Sequence, residues 1–346
     1  MTKLPFISII IPCRNEEKFI GKCLDSIIGQ DFSNENMEIL VVDGMSDDRT
    51  RDIIANYAKQ FSFIKQLENP NKIVPTAMNI GILKSKGKII IRMDAHNTYE
   101  KDYISKCIKY MKEYDADNVG GIWITLPSNK SLLAKSIALA LSNPFGVGNA
   151  HFRIGSKEPR YVDTVPFGCY RKEVFEENGL FDEDLIRNQD DEFNLRLIRN
   201  GGKILLVPDI VSYYYARDSL SKLWQMYYQY GYFKPLVTHK IGAILTWRQL
   251  IPSLFLCSLM FTFVLSFFSY YFMRIFLLII ASYIATNLIF SFAIAIEKSL
   301  KLLAFLPITF ATLHFSYALG YLKGIWDFVV FKKHKNKKIA DMALTR

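Results

Sequence analysis

Asp94 and His96 follow a run of isoleucines in the stretch IIIRMDAHNTY, residues 89–99. The run is typical of a buried β-strand, and side chains two positions apart leave a strand on the same side. A carboxylate and an imidazole in this arrangement suit a divalent cation, although a single histidine in a sequence is more often structural. The carboxylate is a hard ligand for Mg²⁺ or Mn²⁺, and the imidazole shifts the preference towards Mn²⁺.

These two residues are expected at one edge of a parallel sheet. Strands are predicted at 6–11, 37–43 and 88–94, with a weaker strand at 63–68, and helices at 16–29, 48–61 and 74–86. The alternation of strands with helices indicates βαβ units, in which ligands bind beyond the carboxyl ends of the strands. Polar stretches follow three of these strands and are expected to converge there: IPCRNEE, VVDGMSDD and MDAH.

The second part of the chain is much more apolar than the first. Half of the 346 residues are hydrophobic, and the excess lies between Leu250 and Trp326. Segments 250–273, 275–296 and 302–322 are each long enough to cross about 30 Å of hydrocarbon, with a turn expected at Arg274. Three spans conflict with the positive-inside preference for the stretch KKHKNKK, so a break of the third segment at Pro307 is an alternative.

The stretch 219–234 is aromatic and amphipathic, which predicts a helix in the bilayer interface, with a core helix as the alternative. The net charge is +10, but much of the excess lies in KKHKNKK, which favours anionic lipid over nucleic acid as the partner. The five cysteines are scattered and form no CxxC pair, which argues against disulfides and a zinc site. The N-terminal apolar run is too short for a signal peptide, so the first domain is expected in the cytosol.

Five stretches, in this order, resemble the motifs of the family 2 glycosyltransferases over residues 5–210: PCRNEE, VVDGMSDDRT, TAMNIG, RMDAH and NQDDEFNLRL. The resemblance implies the GT-A fold, an α/β, Rossmann-like mixed sheet that binds nucleotide-diphospho-sugars, followed by C-terminal transmembrane helices. The stretches SNPFGVGNAHFR and VDTVPFGCYRKEVF are similar to the membrane glucosyltransferases of succinoglycan-type exopolysaccharide biosynthesis. The expected divisions are a catalytic domain (1–215), an amphipathic interfacial segment (216–248), a transmembrane region of about three helices (249–325) and a basic tail (326–346).

The resemblance also implies roles for residues that bind the donor. Asp43 matches the residue that contacts the base, and its carboxylate suits the N3–H of uracil and hence a UDP-sugar donor; the alternative is a turn-forming aspartate. Asp94 and His96 match the Asp-x-Asp position, where Mn²⁺ or Mg²⁺ bridges the two phosphates and stabilises the departing diphosphate. Nucleotide-sugar-binding roles are further expected for Pro12, Asn15, Glu16, Asn79, Arg92 and Asp94.

Alternatives remain open for three of these residues. Glu16 could equally be a first-turn helix residue that interacts with the helix dipole. Asn79 could simply face solvent. Arg92 lies two positions before Asp94 and so on the same face of the strand. Its guanidinium there either contacts a phosphate or only neutralises the carboxylate charges at this edge of the sheet.

Asp190 matches the catalytic base of the family, which accepts the proton of the attacking hydroxyl. Gln189 stands where the family has a Glu, and Asp191 is the fallback base. The like charges of Asp191 and Glu192 are expected to raise the pKa of Asp190, and the alternative is an ordinary acidic first helical turn. One base without a second nucleophile implies inversion, which gives a β-linked product from an α-linked donor.

Arg217, Gln225 and Gln229 lie where processive synthases carry a Gln-x-x-Arg-Trp acceptor motif, but the local sequence WQMYYQYG lacks the Arg-Trp. We therefore predict transfer of one hexose, from UDP-glucose or a related UDP-hexose, to a polyprenyl-diphosphate-linked glycan. The predicted location is multi-pass in the inner membrane, with the catalytic domain cytoplasmic and the lipid bilayer, not nucleic acid, as partner. The alternatives are a processive synthase and, because of His96 and Gln189, a catalytically inactive scaffold or glycan-binding subunit.

Overall fold

The computed structural model describes residues 5–242 and 247–333. The strands in this part of the chain are β1 (Ile7–Cys13), β2 (Met37–Asp43), β3 (Ile64–Glu68), β4 (Ile89–Arg92), β5 (Asn97–Tyr99), β6 (Asn118–Leu126), β7 (Arg160–Tyr161), β8 (Cys169–Arg171) and β9 (Ile204–Tyr215). They form one mixed sheet in the order β3-β2-β1-β4-β8-β6-β9-β5, with β7 paired to β9. Strands β1 to β4 pair in parallel, whereas β8 pairs antiparallel with β4 and β6, and β9 with β5 and β7.

The α-helices are α1 (Ile20–Ile28), α2 (Thr50–Gln60), α3 (Val74–Lys84), α4 (Tyr103–Glu113), α5 (Leu132–Ala140), α6 (Pro144–Val147), α7 (His151–Ile154), α8 (Glu173–Asn178), α9 (Gln189–Arg199), α10 (Leu220–Ile241), α11 (Ile251–Ser266), α12 (Tyr270–Lys298) and α13 (Leu306–Gly324). Short 3₁₀ helices lie at Asn34–Asn36, Trp247–Gln249 and Leu300–Ala304, and a π-helix at Ile325–Val330 follows α13.

The predicted βαβ units are confirmed. β1 and β2 are buried along their whole length, as expected for parallel strands covered by helices on both faces. α3 lies so close to the sheet that a Cβ atom at Gly81 would be 2.5 Å from Cγ2 of Ile10. The glycine of the TAMNIG stretch therefore permits the close approach of α3 to β1.

The chain divides into two compact units at positions that differ from the predicted boundaries. The catalytic unit consists of the described residues of Met1–Ile124 and Gly155–Tyr214, and the helical unit of those of Thr125–Ile154 and Tyr215–Arg346. The SNPFGVGNAHFR stretch thus belongs to the helical unit rather than to the catalytic domain. The physical reason is the packing of Phe145 against His314 and Phe310 of α13, with the His314 Nε2 atom 2.7 Å from the Phe145 carbonyl oxygen.

Within the helical unit, α10 and α13 are in backbone contact. A Cβ atom at Gly320 would be 2.1 Å from the Tyr228 carbonyl oxygen, and one at Gly231 would be 2.1 Å from the Tyr317 carbonyl oxygen. Gly320 and Gly324 form a GxxxG pair of the kind that lets two helices approach closely. α10 is thus a packed helix that extends to Ile241, beyond the predicted 219–234, and its place in a bilayer interface stays a prediction.

Among the described residues, one helix is long and apolar enough to cross a membrane, α12 at Tyr270–Lys298. Its 29 residues are about 43 Å long at 1.5 Å per residue. The apolar helix α11, Ile251–Ser266, is shorter. The prediction of three spans is therefore not confirmed. The turn expected at Arg274 was wrong: α11 ends before it, and Arg274 lies inside α12 with its guanidinium over the Tyr270 ring. Residues 334–346 of the basic tail lie outside the described residues.

Candidate active site

Hydrogen bonds join the loops that follow β1 and β2. The register of the two strands places Cys13 opposite Asp43, so both loops begin at the same level. Ser46 Oγ accepts a hydrogen bond from the Asn15 amide at 2.9 Å and donates one to Asp43, while the Ser46 amide donates to Asp43 at 3.1 Å. Asn15 and Met45 both have φ near +56°, a region that non-glycine residues seldom occupy and that is concentrated at functional sites.

Asp43 is the buried acceptor of the hydrogen bonds that Ser46 donates in these loops. Its carboxylate is fully buried, and Arg51 Nε lies 3.6 Å from it. The contacts to Ser46 are those of the turn-forming aspartate that was the alternative interpretation. The predicted contact with the base stays a prediction. Pro12 is buried in β1 opposite Val42 and shapes the start of the first loop.

Arg92 connects the end of β4 to the start of α9. Its Nε atom donates to Asp94 at 3.0 Å, and its Nη1 atom lies 4.0 Å from Asp190 Oδ2. Only 12% of the Arg92 side chain is exposed. Burial disfavours the charged guanidinium, but the carboxylates of Asp94 and Asp190 outweigh it, and the pKa of Arg92 lies above its ordinary value. The structure therefore brings Asp94 and Asp190 to one cation.

The side chain of His96 faces Glu16. The His96 Nδ1 atom is 3.2 Å from Oε1 of Glu16, whose side chain is only 6% exposed. A histidine that donates Nδ1–H to a buried carboxylate presents Nε2 as its basic atom, which is the usual arrangement around metal-bound histidines. Glu16 is thus placed to fix the tautomer of His96, a role that its position in the sequence did not reveal.

Asp94 and His96 are two residues at this edge that could hold a divalent ion, with water and ligand oxygens filling the other positions. Over residues 5–242 and 247–333, no group of three or more His, Cys, Asp or Glu side chains is placed to hold a metal by itself. Two protein ligands are nevertheless enough where substrate phosphates and water supply the rest, as is common for Mg²⁺. The side chain of Asp94 is 21% exposed and that of His96 27%, so both can reach a ligand at the sheet edge.

Asp190 lies in the first turn of α9 with 40% of its side chain exposed. It accepts a hydrogen bond from the Asp191 amide at 3.1 Å. Its surroundings differ from the predicted cluster of like charges, because the Glu192 carboxylate is paired with Arg196 at 2.7 Å. Asp190 also has the Arg92 guanidinium 4.0 Å away, so its charged neighbours include a cation and not carboxylates alone.

Comparison with known proteins identifies the family of the chain. Residues 8–178 match the family model Glycosyl transferase family 2. A dolichyl N-acetyl-alpha-D-glucosaminyl phosphate 3-beta-D-2,3-diacetamido-2,3-dideoxy-beta-D-glucuronosyltransferase of Methanococcus voltae is 34% identical over 92% of this chain and 97% of that protein. The chain belongs to glycosyl transferase family 2.

Two further relatives extend this result. The succinoglycan biosynthesis protein ExoA of Rhizobium meliloti is 28% identical over 70% of this chain and 73% of that protein, which agrees with the resemblance seen in the sequence. The structure of the mannosyltransferase PcManGT from Pyrobaculum calidifontis, in complex with GDP-Man and Mn²⁺, superposes with a TM-score of 0.60. It is 17% identical and covers 94% of this chain and 88% of that chain. This likeness supports the predicted GT-A-like fold.

The remaining predicted site residues are Asn79 in the catalytic unit and three residues in the helical unit. Asn79 is buried, and its amide is hydrogen-bonded to residues 181–183, which contradicts the solvent-facing alternative; its contact with a ribose stays a prediction. Arg217, Gln225 and Gln229 belong to the helical unit, where Gln225 is exposed and Gln229 is buried. Their acceptor role stays a prediction.

Proposed function

We propose that the protein is an inverting, metal-dependent glycosyltransferase that transfers one sugar from a UDP-sugar to a sugar carried on a polyprenyl phosphate at a membrane. The observation that carries the proposal is the placement of Asp94 and Asp190 on either side of Arg92, at 3.0 and 4.0 Å. This geometry supports a role for Asp94 as a ligand of the metal ion and a role for Asp190, its neighbour across Arg92, as the base for the acceptor.

The chain's own residues have separate tasks in this mechanism. The loops held together by Asn15, Asp43 and Ser46 form the floor for the nucleotide. Asp190 accepts the proton of the acceptor hydroxyl. At the same time, the hydroxyl oxygen bonds to the anomeric carbon of the donor, and the bond between that carbon and the UDP oxygen breaks. Asp94 and His96 would hold a divalent ion, which supplies Lewis-acid stabilisation of the departing diphosphate. A single displacement without a covalent intermediate inverts the anomeric carbon.

The nature of the acceptor follows from the relative that matches along nearly its whole length. Its name describes transfer of a uronosyl group to a dolichyl phosphate sugar in β-linkage. We therefore propose a polyprenyl-phosphate N-acetylhexosamine as the acceptor, in place of the diphosphate-linked glycan expected from the sequence. The donor is a UDP-hexose or UDP-hexuronic acid, and the PcManGT complex supports Mn²⁺ as the ion. The apolar helix α12 supports a place in the membrane, and the multi-pass arrangement stays a prediction.

The test is a matrix of labelled donors and synthetic acceptors with purified protein in detergent. UDP-glucose, UDP-glucuronic acid, UDP-N-acetylglucosamine and GDP-mannose are each combined with Mn²⁺ or Mg²⁺ and with phosphate-linked or diphosphate-linked N-acetylglucosamine on a short polyprenyl chain. We expect label in the lipid fraction only with a UDP-sugar, with Mn²⁺ above Mg²⁺ and with a single sugar added. Nucleotide binding without transfer under every condition would overturn the proposal.

A further inference from the structure

The TAMNIG stretch at residues 76–81 contains a buried polar side chain, Asn79, that the proposed chemistry does not use. Asn79 Nδ2 donates to the Phe181 carbonyl oxygen at 2.9 Å, and Asn79 Oδ1 accepts from the Phe181 amide at 3.0 Å. The same Nδ2 atom donates to Glu183 Oε1 at 2.8 Å. One amide thus holds both backbone polar groups of Phe181, in the way that a neighbouring strand would.

The segment held by Asn79 precedes the helix that carries Asp190, which begins at Gln189. It is also held by Arg196 of α9, which donates to the carbonyl oxygens of Asn178 and Leu180. Arg196 is itself fixed by Glu192 through two hydrogen bonds, at 3.0 and 2.7 Å. We call residues 178–183, which form hydrogen bonds with Asn79 and Arg196, the base-support loop.

The base-support loop links the helix that carries Asp190 to α3 and β1 of the catalytic unit. Asn79 lies on α3, and two residues later Gly81 seats this helix against Ile10 of β1. β1 in turn leads into the loop that contains Asn15. The position of the first turn of α9 is therefore tied, through Asn79, to the strand that positions the donor.

We propose that Asn79 is a positioning residue that fixes Asp190 relative to the bound donor, and that it does not contact the nucleotide. The proposal rests on the function proposed above, in which Asp190 is the base. Loss of the Asn79 contacts frees the segment before Asp190, and a base displaced by about 1 Å can cost on the order of 100-fold in rate. Affinity for the nucleotide should not change, because Asn79 does not touch it.

The decisive variants are Asn79→Ala and a matched control, Gln30→Ala. Gln30 is also a buried amide with three contacts: it donates to the Ser26 and Glu100 carbonyl oxygens and accepts from the Ile104 amide. Both variants lose a comparable set of hydrogen bonds, so both should melt at a lower temperature. We expect kcat to fall at least tenfold in N79A and less than twofold in Q30A, with the Kd for UDP within twofold of wild type in both.

A second pair of variants tests the geometry by rescue. Asn79→Asp keeps the acceptor for the Phe181 amide but places a carboxylate against Glu183. The double variant Asn79→Asp with Glu183→Gln restores a donor and an acceptor across this contact. We expect kcat to be lower in N79D than in the double variant, while UDP binding stays constant.

Hydrogen exchange separates this inference from the proposed function, because it needs no turnover. Amides of residues 181–190 should exchange at least tenfold faster in N79A than in wild type, and Q30A should leave them unchanged. If N79A raises the Kd for UDP tenfold with unaltered kcat, Asn79 is a nucleotide ligand and the inference is wrong. Unchanged exchange in 181–190 would also overturn it. Altered exchange in a protein that transfers no sugar would contradict the proposed function alone.

Discussion

Removal of the Glu16 charge should weaken metal binding through His96. Glu16 Oε1 lies 3.2 Å from His96 Nδ1, and only 6% of the Glu16 side chain is exposed, so little solvent screens the contact. Loss of such a partner of a metal-bound histidine typically costs 10- to 100-fold in affinity, about 1.4–2.7 kcal/mol. Glu16→Gln keeps an acceptor oxygen and removes only the charge, so we expect about tenfold; Glu16→Ala removes both, and we expect about 100-fold.

The assay is the titration of free Mn²⁺ by electron paramagnetic resonance at saturating UDP, which reports the metal without turnover. Glu17→Gln is the matched control, because Glu17 is the adjacent carboxylate and, within residues 5–242 and 247–333, its side chain accepts only from the exposed Arg49 amide, at 3.3 Å. Its Mn²⁺ affinity should equal that of wild type. His96→Asp should keep binding and shift the preference towards Mg²⁺. Equal Mn²⁺ affinity in wild type, E16Q and His96→Ala would refute both the ligand role of His96 and the reasoning about Glu16.

Asp190→Asn should fold with an unchanged circular dichroism spectrum and lose about 10²- to 10⁴-fold in kcat, measured as label in lipid; turnover like that of wild type would show that Asp190 is not the base. Gly320→Ala should destabilise the helical unit by about 1–3 kcal/mol in a melt in detergent, because its Cβ would lie 2.1 Å from the Tyr228 carbonyl oxygen. Burial raises the pKa of Glu38, but hydrogen bonds from β1, β3 and the connection after α3 outweigh it, so the pKa lies below its ordinary value. The stability gained from Glu38 is present above the unfolded-state pKa of about 4.3 and is lost as the pH falls through the folded-state pKa. Glu38→Gln should therefore cost about 1–3 kcal/mol at pH 7 and show a weaker loss on acidification, in urea titrations at pH 7 and pH 3.5; an identical pH dependence would contradict this.

Local patterns in the sequence were sufficient for the βαβ order and for the convergence of strand ends. A short apolar run rich in β-branched residues, such as ILVV within 37–43, indicates a strand covered on both faces, and β2 has the predicted bounds. The carboxyl ends of parallel strands share one edge, so Asp94 had to lie near the loop after β1 once the topology was known. Composition located the apolar region in which α12 lies, because hydrocarbon requires a long apolar run, but it did not give the number or the bounds of the long helices there.

Contacts between distant segments could not be read from the sequence, because nothing local marks them. The pairing of Glu16 with His96 joins residues 80 positions apart, and that of Asn79 with Phe181 joins residues 102 positions apart. Residues 125–154 lie in the middle of the catalytic sequence, yet packing of Phe145 on α13 places them in the helical unit. The sequence by itself thus determined which chemical groups the protein carries and the sheet edge where they gather. Only the tertiary structure decided which of these groups form hydrogen bonds or ion pairs with one another, since hydrogen bonds and burial depend on which distant segments pack together.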